Sequence, residues 1–175
     1  MPAKTTLSWR PMAAVDLPAV LTVAEQVHPN YPESEAVFAE RLMLHPAGCL
    51  VLAGGEGASG YVLSHPWRYG QVPALDSLLG ALPGDADAYY LHDLALLPQM
   101  RGAGAASACV ERLAAHARTE GFDRMALVAV GGSAGFWRRQ GFREVHDEAL
   151  ARALASYDDA ARYMVRDTRQ DGTNA

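Results

Sequence analysis

A chain of 175 residues is about the size of one domain, and we expect a single domain over residues 1–175, with a core over about 7–167 and a frayed tail over 168–175. The formal net charge is −5 and acidic and basic residues are interspersed, which argues against a nucleic-acid partner. The sequence has no apolar run long enough to span a bilayer and no signal-peptide pattern, so we expect a soluble protein without a membrane partner.

The two cysteines indicate the redox environment. Cys49 and Cys109 lie in apolar stretches and show no metal-type spacing. This pattern predicts buried free thiols, no metal site and a reducing, cytoplasmic location.

The first part of the chain predicts a short strand and two helices. The strand covers residues 7–10, and apolar residues at helical spacing then follow Asp16, a favourable helix N-cap. This helix ends at His28-Pro29. A second helix begins at Ser34 and stops before Pro46, because the residue before a proline disfavours the helical conformation.

The middle of the chain predicts a β-hairpin, followed by a segment without clear periodicity. Apolar runs over residues 48–53 and 60–65 flank a glycine-rich loop at 54–57, which is typical of two paired strands. Residues 66–87 are rich in proline, glycine and aspartate, and a leucine cluster there indicates one helical turn. The leucines are Leu75, Leu78, Leu79 and Leu82.

The rest of the chain predicts a strand, a glycine turn and a helix, and then further alternation. The strand covers residues 89–97 and closes at Pro98, and an apolar stripe over 106–117 marks a helix that ends at Gly121. The remaining predicted elements are a buried strand over 125–130, a short helix over 133–141, and closing strands over 142–145 and 161–166.

The glycine turn before this helix is a candidate anion site. At a helix start the first amides have no intrahelical partner, and the macrodipole places partial positive charge there. Small side chains let an anion approach these amides, and Arg101 adds a cation beside them. The small residues are Gly102, Ala103, Gly104, Ala105 and Ala106. The pattern predicts a diphosphate site, although the same residues also suit close packing of the turn.

Two segments carry a resemblance to a known family. The run Leu-Leu-Pro-Gln-Met-Arg-Gly-Ala-Gly-Ala-Ala at residues 96–106 resembles the acetyl-CoA motif Arg/Gln-x-x-Gly-x-Gly/Ala of the GNAT superfamily of N-acetyltransferases. Arg101, Gly104 and Ala106 fill the motif's fixed positions. Residues 133–142, Ser-Ala-Gly-Phe-Trp-Arg-Arg-Gln-Gly-Phe, resemble the family's second segment, a short helix that ends in Gly-Phe.

The resemblance implies a fold and a cosubstrate. The fold is α/β (α+β), with a mixed, mostly antiparallel sheet of about six to seven strands that is flanked by about four helices and splayed between strands four and five. The cosubstrate is acetyl-CoA, whose pantetheine arm pairs with the fourth strand. The implied CoA-binding residues are Leu94, Ala95, Leu96, Arg101, Gly102, Ala103, Gly104, Ala105, Ala106, Ser133, Phe136 and Trp137.

The fourth strand carries the candidate catalytic groups. Its sequence Tyr-Leu-His-Asp-Leu-Ala-Leu at residues 90–96 is similar to the strand of arylalkylamine N-acetyltransferases in which His-Leu-His supplies two histidines. The likeness implies that His92 is the general base and that Tyr90 relays a proton or orients the substrate. Side-chain alternation places Asp93 on the opposite face of the strand from Tyr90 and His92, unless a bulge re-aims one of them. A purely structural histidine is the alternative.

Trp137 departs from the family pattern. It occupies the position where many GNAT enzymes place the tyrosine that protonates the departing thiolate. Indole is a poor acid, so the proton would come from water, His92, Tyr163 or Tyr90. The departure keeps open another class of function, a non-catalytic acyl-CoA-binding sensor on the same fold.

The acceptor site follows from the resemblance as well. In the family, the loop between the first two helices and the connection before the fourth strand build the acceptor groove, and these correspond to residues 28–33 and 67–88. The candidate substrate-binding residues are Tyr31, Glu33, Trp67 and Asp93. A carboxylate between apolar strand neighbours is costly unless it is paired, so a structural, hydrogen-bonded role is the favoured alternative for Asp93. We expect an N-acetyltransferase that acts on the primary amine of a small molecule, ahead of a protein N-terminus, and we leave homodimer formation open.

Overall fold

A seven-stranded sheet crosses the protein, with strand order β1-β2-β3-β4-β5-β7-β6. The structure is a computed structural model and describes residues 6–55, 57–155 and 157–169. The strands are β1 (Ser8–Pro11), β2 (Leu50–Ala53), β3 (Gly60–Trp67), β4 (Ala88–Leu96), β5 (Arg124–Ala129), β6 (Arg143–Glu144) and β7 (Arg162–Asp167). Neighbouring strands are antiparallel apart from the parallel pair β4 and β5. The predicted fold class and the β2–β3 hairpin are confirmed.

Five α-helices accompany the sheet in the described part of the chain. They are α1 (Leu17–Val27), α2 (Glu35–Leu44), α3 (Ala105–Thr119), α4 (Ala134–Arg139) and α5 (Glu148–Leu154). Neighbouring β3 residues belong to different buried clusters. Val62 lies in the cluster that contains Leu113 of α3, whereas Leu63 lies in the cluster that contains Val20 of α1 and Phe38 of α2. Because side chains alternate along a strand, α1 and α2 lie on the opposite face of the sheet from α3. None of these helices combines the length and apolar character needed to cross a bilayer.

Two segments differ from the prediction. The leucines within residues 66–87 form turns and loops instead of a helical turn, and Leu78 is 60% exposed, so they lack a shared buried face. Helix α5 was not predicted. Its N-cap Asp147 accepts hydrogen bonds from the backbone N–H groups of Ala149 and Leu150, and Leu150 and Leu154 supply its buried side.

The ends of the core also differ in detail. Asp16 precedes α1 as predicted, but its carboxylate accepts a hydrogen bond from the Ala13 N–H at 2.8 Å and pairs with Arg10 at 2.7 Å. It therefore closes the short 3-10 turn before α1 instead of capping α1 itself. Thr168, which we placed in the frayed tail, is buried, and its N–H donates to the Asp123 carbonyl at 2.9 Å. Residues 170–175 lie outside the described part.

Strands β4 and β5 are paired only near their starts. The register joins Tyr89 to Met125 and Tyr90 to Ala126 and then stops. Beyond this point β4 continues to pair with β3, and β5 continues to pair with β7. The predicted splay between strands four and five is confirmed, and it opens a gap in the middle of the sheet.

A β-bulge interrupts β4 at His92. The consecutive β3 residues Leu63 and Ser64 pair with Asp93 and Leu91, so His92 has no opposite partner. A bulge disrupts the alternation of side chains, and both His92 and Asp93 contact residues of the α1–α2 connection. This is the exception that we allowed to the expectation that Asp93 faces away from His92.

Candidate functional site

A cavity of about 800 Å³ lies where β4 and β5 diverge. Its walls come from the α1–α2 connection, the second half of β4, the glycine turn before α3, the end of β5, and α4. These segments are separate in the sequence, and the splayed sheet brings them around one space. The volume falls within the usual range of small-molecule and cofactor sites.

The glycine turn forms one end of the cavity. Gly102 and Gly104 have φ values of 82° and 80°, a left-handed conformation that residues with a Cβ rarely adopt. The Gly104 carbonyl accepts a hydrogen bond from the Ala108 N–H at 3.0 Å, so the amides of the first turn of α3 are available to a ligand. The predicted anion-site residues that line the cavity are Arg101, Gly102, Gly104, Ala105 and Ala106, whereas Ala103 does not line it.

The backbone of β4 beyond the bulge forms the floor of the cavity. Leu94, Ala95 and Leu96, the residues that the resemblance assigns to the pantetheine arm, line it. They are paired to β3 on one side, whereas β5 pairs with β4 only before the bulge. Their free main-chain edge can therefore pair with an extended ligand in the manner of an added strand.

Helix α4 forms another wall. Ser133, Phe136 and Trp137 all line the cavity. The Trp137 residue is 8% exposed, and its ring packs edge-on against Phe136 and Phe142, with centroids 4.9 and 5.5 Å apart. Its surroundings are those of a core residue that shapes the wall.

Two imidazole–carboxylate pairs lie at the bulge. Nε2 of His92 is 2.7 Å from Oε1 of Glu33, and the two side chains are 4% and 6% exposed. Nε2 of His28 is 3.1 Å from Oδ1 of Asp93, and the other Asp93 oxygen, Oδ2, accepts a hydrogen bond from the Tyr61 hydroxyl. The α1–α2 connection supplies His28 and Glu33, and β4 supplies the adjacent residues Asp93 and His92. Each pair therefore joins a histidine of one segment to a carboxylate of the other, and we call them the crossed pairs.

One nitrogen of each imidazole is buried and makes no hydrogen bond of good geometry among the described residues. A carboxylate only accepts hydrogen bonds, so the tautomer of a neutral His92 ring that suits Glu33 has its proton on Nε2 and its lone pair on Nδ1. This Nδ1 is buried and has no hydrogen-bond partner among the described residues. Nε2 of His28 is also buried and makes no aligned hydrogen bond there, despite its short distance to Asp93.

The β3–β4 connection holds Glu33 in place. The second Glu33 oxygen accepts a hydrogen bond from the Asp76 N–H at 3.1 Å, and the Asp76 carboxylate accepts one from the Ser34 N–H at 2.7 Å. Arg41 is 1% exposed and donates to the Ser77 carbonyl at 3.2 Å, which ties α2 to the same connection. The carboxylate beside His92 is therefore fixed from two directions.

Two predicted tyrosines lie at the cavity. Tyr90 lines it next to His92, with ring centroids 6.3 Å apart, and burial raises the pKa of Tyr90 well above its ordinary value. Tyr31 also lines the cavity and donates its hydroxyl proton to Asp158. The cavity thus brings together Tyr31, Glu33, Tyr90, His92 and Asp93.

Two other predicted residues lie elsewhere. Trp67 does not line the cavity and packs edge-on against His65, with ring centroids 5.5 Å apart. Tyr163 also lies outside the cavity lining, and its hydroxyl accepts a hydrogen bond from the Gly70 N–H at 2.9 Å. Neither side chain is placed to contact a ligand in this cavity.

Sequence reasoning gave no role to His28, Tyr61 or Tyr157. His28 marked the end of α1 and the start of the segment over residues 28–33, and its partner Asp93 is distant in the sequence. Tyr157 lines the cavity and donates to the Pro73 carbonyl. The available signal was the position of His28 at the start of the α1–α2 connection, which the resemblance assigns to the acceptor groove.

The two cysteines are buried free thiols, as predicted, and lie outside the cavity lining. Burial raises the pKa of Cys49 and of Cys109 to about 12, so both stay protonated near neutral pH and are poor nucleophiles. Among the residues that the structure describes, no group of three or more His, Cys, Asp or Glu side chains is arranged to hold a metal ion.

The chain matches one known protein family in sequence. The chain matches the model of the acetyltransferase (GNAT) family over residues 16–142, which is more than half of its length. The chain belongs to the GNAT family of acetyltransferases. None of the curated proteins matches it in sequence.

Solved structures share the GNAT fold at low sequence identity. Ard1 from Thermoplasma volcanium aligns with a TM-score of 0.68 and 14% identity over 92% of this chain and 97% of that chain. The ribosomal-protein-S18-alanine N-acetyltransferase from Escherichia coli aligns with a TM-score of 0.63 and 17% identity over 97% and 99%. Rv2747 from Mycobacterium tuberculosis, in complex with CoA and NLQ, aligns with a TM-score of 0.66 and 16% identity over 91% and 98%. At these identities the likeness concerns the fold alone.

The cavity of this GNAT acetyltransferase has two chemically different ends. The glycine turn offers backbone amides and the Arg101 cation, which suit an anion. The bulge offers the titratable groups of His92 and His28 with their carboxylate partners. The apolar stretch of β4 beyond the bulge joins the two ends.

Proposed function

We propose that the protein transfers the acetyl group of acetyl-CoA to the primary amine of a small molecule, by direct attack of the amine on the thioester. The observation that carries the proposal is the His92–Glu33 pair at the bulge, with Nδ1 of His92 free of other partners in the described structure. An imidazole with an unused nitrogen and a buried carboxylate behind it is arranged to accept a proton.

The shape of the cavity supports acetyl-CoA as cosubstrate. The diphosphate binds the amides of residues 102–106 beside Arg101, and the pantetheine arm runs along the free edge of residues 94–96. This course brings the thioester to the bulge and next to His92. The structural neighbour Rv2747 was itself solved with CoA.

The reaction follows from the groups at the bulge. The arriving ammonium first releases one proton to water. The amine nitrogen then attacks the thioester carbonyl, and Nδ1 of His92 accepts the second proton from this nitrogen as the C–N bond forms. Glu33 holds the ring through the Nε2 proton and stabilises the imidazolium that forms. Cys49 and Cys109 are protonated and lie away from the cavity, which supports direct transfer over an acyl-cysteine intermediate.

The acceptor end is anionic and aromatic. The carboxylates of Glu33 and Asp93 favour a cationic ammonium as the arriving species. Tyr31 and Tyr157 present rings that suit an aromatic or aliphatic group on the same molecule. These features support a small amine as the acceptor.

Two tyrosine contacts restrict the size of the acceptor. Tyr31 of the α1–α2 connection donates to Asp158 of the α5–β7 connection, and Tyr157 donates to the Pro73 carbonyl of the β3–β4 connection. The contacts tie three connections together around the acceptor end. This closure favours a small molecule over a polypeptide N-terminus, the alternative that the Escherichia coli neighbour suggests by its name.

Release of the CoA thiol, measured with a panel of small amines and N-terminal peptides, tests the proposal. We expect turnover with a small amine, and we expect His92→Gln to lower kcat by roughly 10²–10⁴-fold with an unchanged Kd for acetyl-CoA. His146→Gln is the matched control, because the His146 side chain is 81% exposed and lies outside the cavity lining. Acetyl-CoA binding without thiol release from any acceptor would identify a sensor domain and contradict the proposal.

A further inference from the structure

His28 is an imidazole at the cavity that the proposed base catalysis leaves unused. It extends from the α1–α2 connection to within 3.1 Å of Asp93, the β4 neighbour of His92. Acetyl transfer requires two proton movements, one away from the amine and one onto the departing CoA sulfur. The two crossed pairs provide one imidazole for each movement.

The other proton donors around the cavity are poorly suited to protonating the departing CoA sulfur. Tyr31 and Tyr157 donate their hydroxyl protons to Asp158 and to a backbone carbonyl. Burial raises the pKa of Tyr90 well above its ordinary value, which makes it a weaker acid. The Trp137 indole has an N–H but no acidic proton near neutral pH. Of the described cavity-lining side chains, His28 and His92 are the imidazoles.

His28 also lies where the sulfur of the proposed cosubstrate arrives. With the diphosphate at the glycine turn, the pantetheine arm runs along β4 toward the bulge, so its sulfur end lies beside Leu94. His28 is close enough to Leu94 for the carbonyl of that residue to act on its imidazole, and it is also influenced by the charge of Arg101. Its buried Nε2 makes no aligned hydrogen bond within the described residues.

We infer that protonated His28, paired with Asp93, donates a proton to the CoA sulfur as the tetrahedral intermediate breaks down. The inference rests on the proposed acetyl transfer. The C–S bond breaks, its electron pair goes to sulfur, and the His28 proton converts the sulfur to the CoA thiol while the amide carbonyl re-forms. His92 then releases the proton taken from the amine to water, and His28 takes one from water, so the cycle balances.

The charges around His28 favour its protonated form. Burial lowers the pKa of His28, but the Asp93 carboxylate and the Leu94 carbonyl outweigh it, and the pKa is raised overall from the ordinary histidine value. Arg101 opposes this rise. Other titratable groups around His28, from α1, its own connection and β3, are Glu25, Tyr31, Glu33 and Tyr61.

Profiles of kcat against pH in two variants test the inference. We expect a wild-type profile that falls at high pH, with the midpoint of the fall above the ordinary histidine value. His28→Gln should lose this alkaline limb and lower kcat by roughly 10–100-fold, with acetyl-CoA affinity unchanged. Asp93→Asn should move the limb to lower pH, because the charge that raises the pKa of His28 is gone. His146→Gln should keep the complete profile.

The outcomes separate the inference from the proposed function. Wild-type kcat and an unchanged alkaline limb in His28→Gln would overturn the role of His28. A raised amine KM with the limb retained would assign His28 to packing of the connection, and it would overturn the role as well. If His28→Gln does not fold, an unmoved limb in Asp93→Asn decides against it. Absence of thiol release by the wild-type protein with every amine overturns the proposed function and the inference together.

Discussion

Oε1 of Glu33 lies 2.7 Å from Nε2 of His92, and both side chains are almost completely buried. A carboxylate at this distance fixes the tautomer of the imidazole and stabilises its cationic form. Glu33 is anchored from the β3–β4 connection by the Asp76 N–H, so the position of the proposed base depends on a loop that is remote in the sequence.

Glu33→Gln should therefore lower kcat while leaving acetyl-CoA binding intact. The amide keeps the size of the side chain but removes the charge that stabilises the imidazolium, and we expect a loss of roughly 10–100-fold. Steady-state kinetics and equilibrium binding measure the two effects. Glu35→Gln, at an exposed position of α2, is the control. Equal kcat values for the Glu33→Gln and wild-type proteins would contradict the role.

Gly104 tests the proposed diphosphate site. Its φ is 80° and an added Cβ would meet no described atom within 4 Å, so Gly104→Ala should cost about 1–2 kcal/mol in backbone strain and weaken CoA by displacing the turn. Gly104→Val should abolish CoA binding, because its branched side chain occupies the anion's approach. Gly121→Ala is the matched control, since Gly121 has a φ of 88° at the opposite end of α3. It should lose similar stability in denaturant unfolding and keep its CoA affinity, whereas unchanged CoA affinity in folded Gly104→Val would exclude the site.

Arg101 should contribute to CoA binding through its charge. Arg101→Ala is expected to weaken CoA by about fivefold at low ionic strength and by less at high salt, because salt screens an exposed charge contact. Calorimetric titrations at several salt concentrations measure this, with Arg152→Ala on the exposed side of α5 as control. A loss of affinity that does not depend on salt would indicate a packing role instead.

Trp137 should contribute shape and not a proton. Trp137→Phe should keep most of kcat and lose about 1–2 kcal/mol of stability, because the ring packs between Phe136 and Phe142. Trp137→Tyr places an acidic hydroxyl group at this wall. Added to the His28→Gln variant, it should restore part of the kcat that His28→Gln loses. A loss beyond about a thousandfold in folded Trp137→Phe would show that the indole takes part in the chemistry.

The sequence predicted the features that depend on local patterns. The strand–turn–helix around Gly104, the end of α1 at His28 and the splayed sheet follow from periodicity, turn residues and family resemblance. The pairing of His28 with Asp93 did not follow, because it requires both the bulge and the folded α1–α2 connection. A bulge exists only relative to the strand with which it pairs, and the sequence of β4 alone does not show which β3 residues lie opposite it.

The early end of β4–β5 pairing divides the sheet into two units. One unit contains β1 to β4 and the other contains β5, β7 and β6, and the parallel register between them covers Tyr89, Tyr90, Met125 and Ala126. A ligand that pairs along residues 94–96 would add main-chain hydrogen bonds across this seam, and ligands that bind the native state stabilise it. The bound cosubstrate would then join the two units of the sheet. Amide hydrogen exchange would slow in β4 and β5 on CoA binding before it slowed in the outer strands.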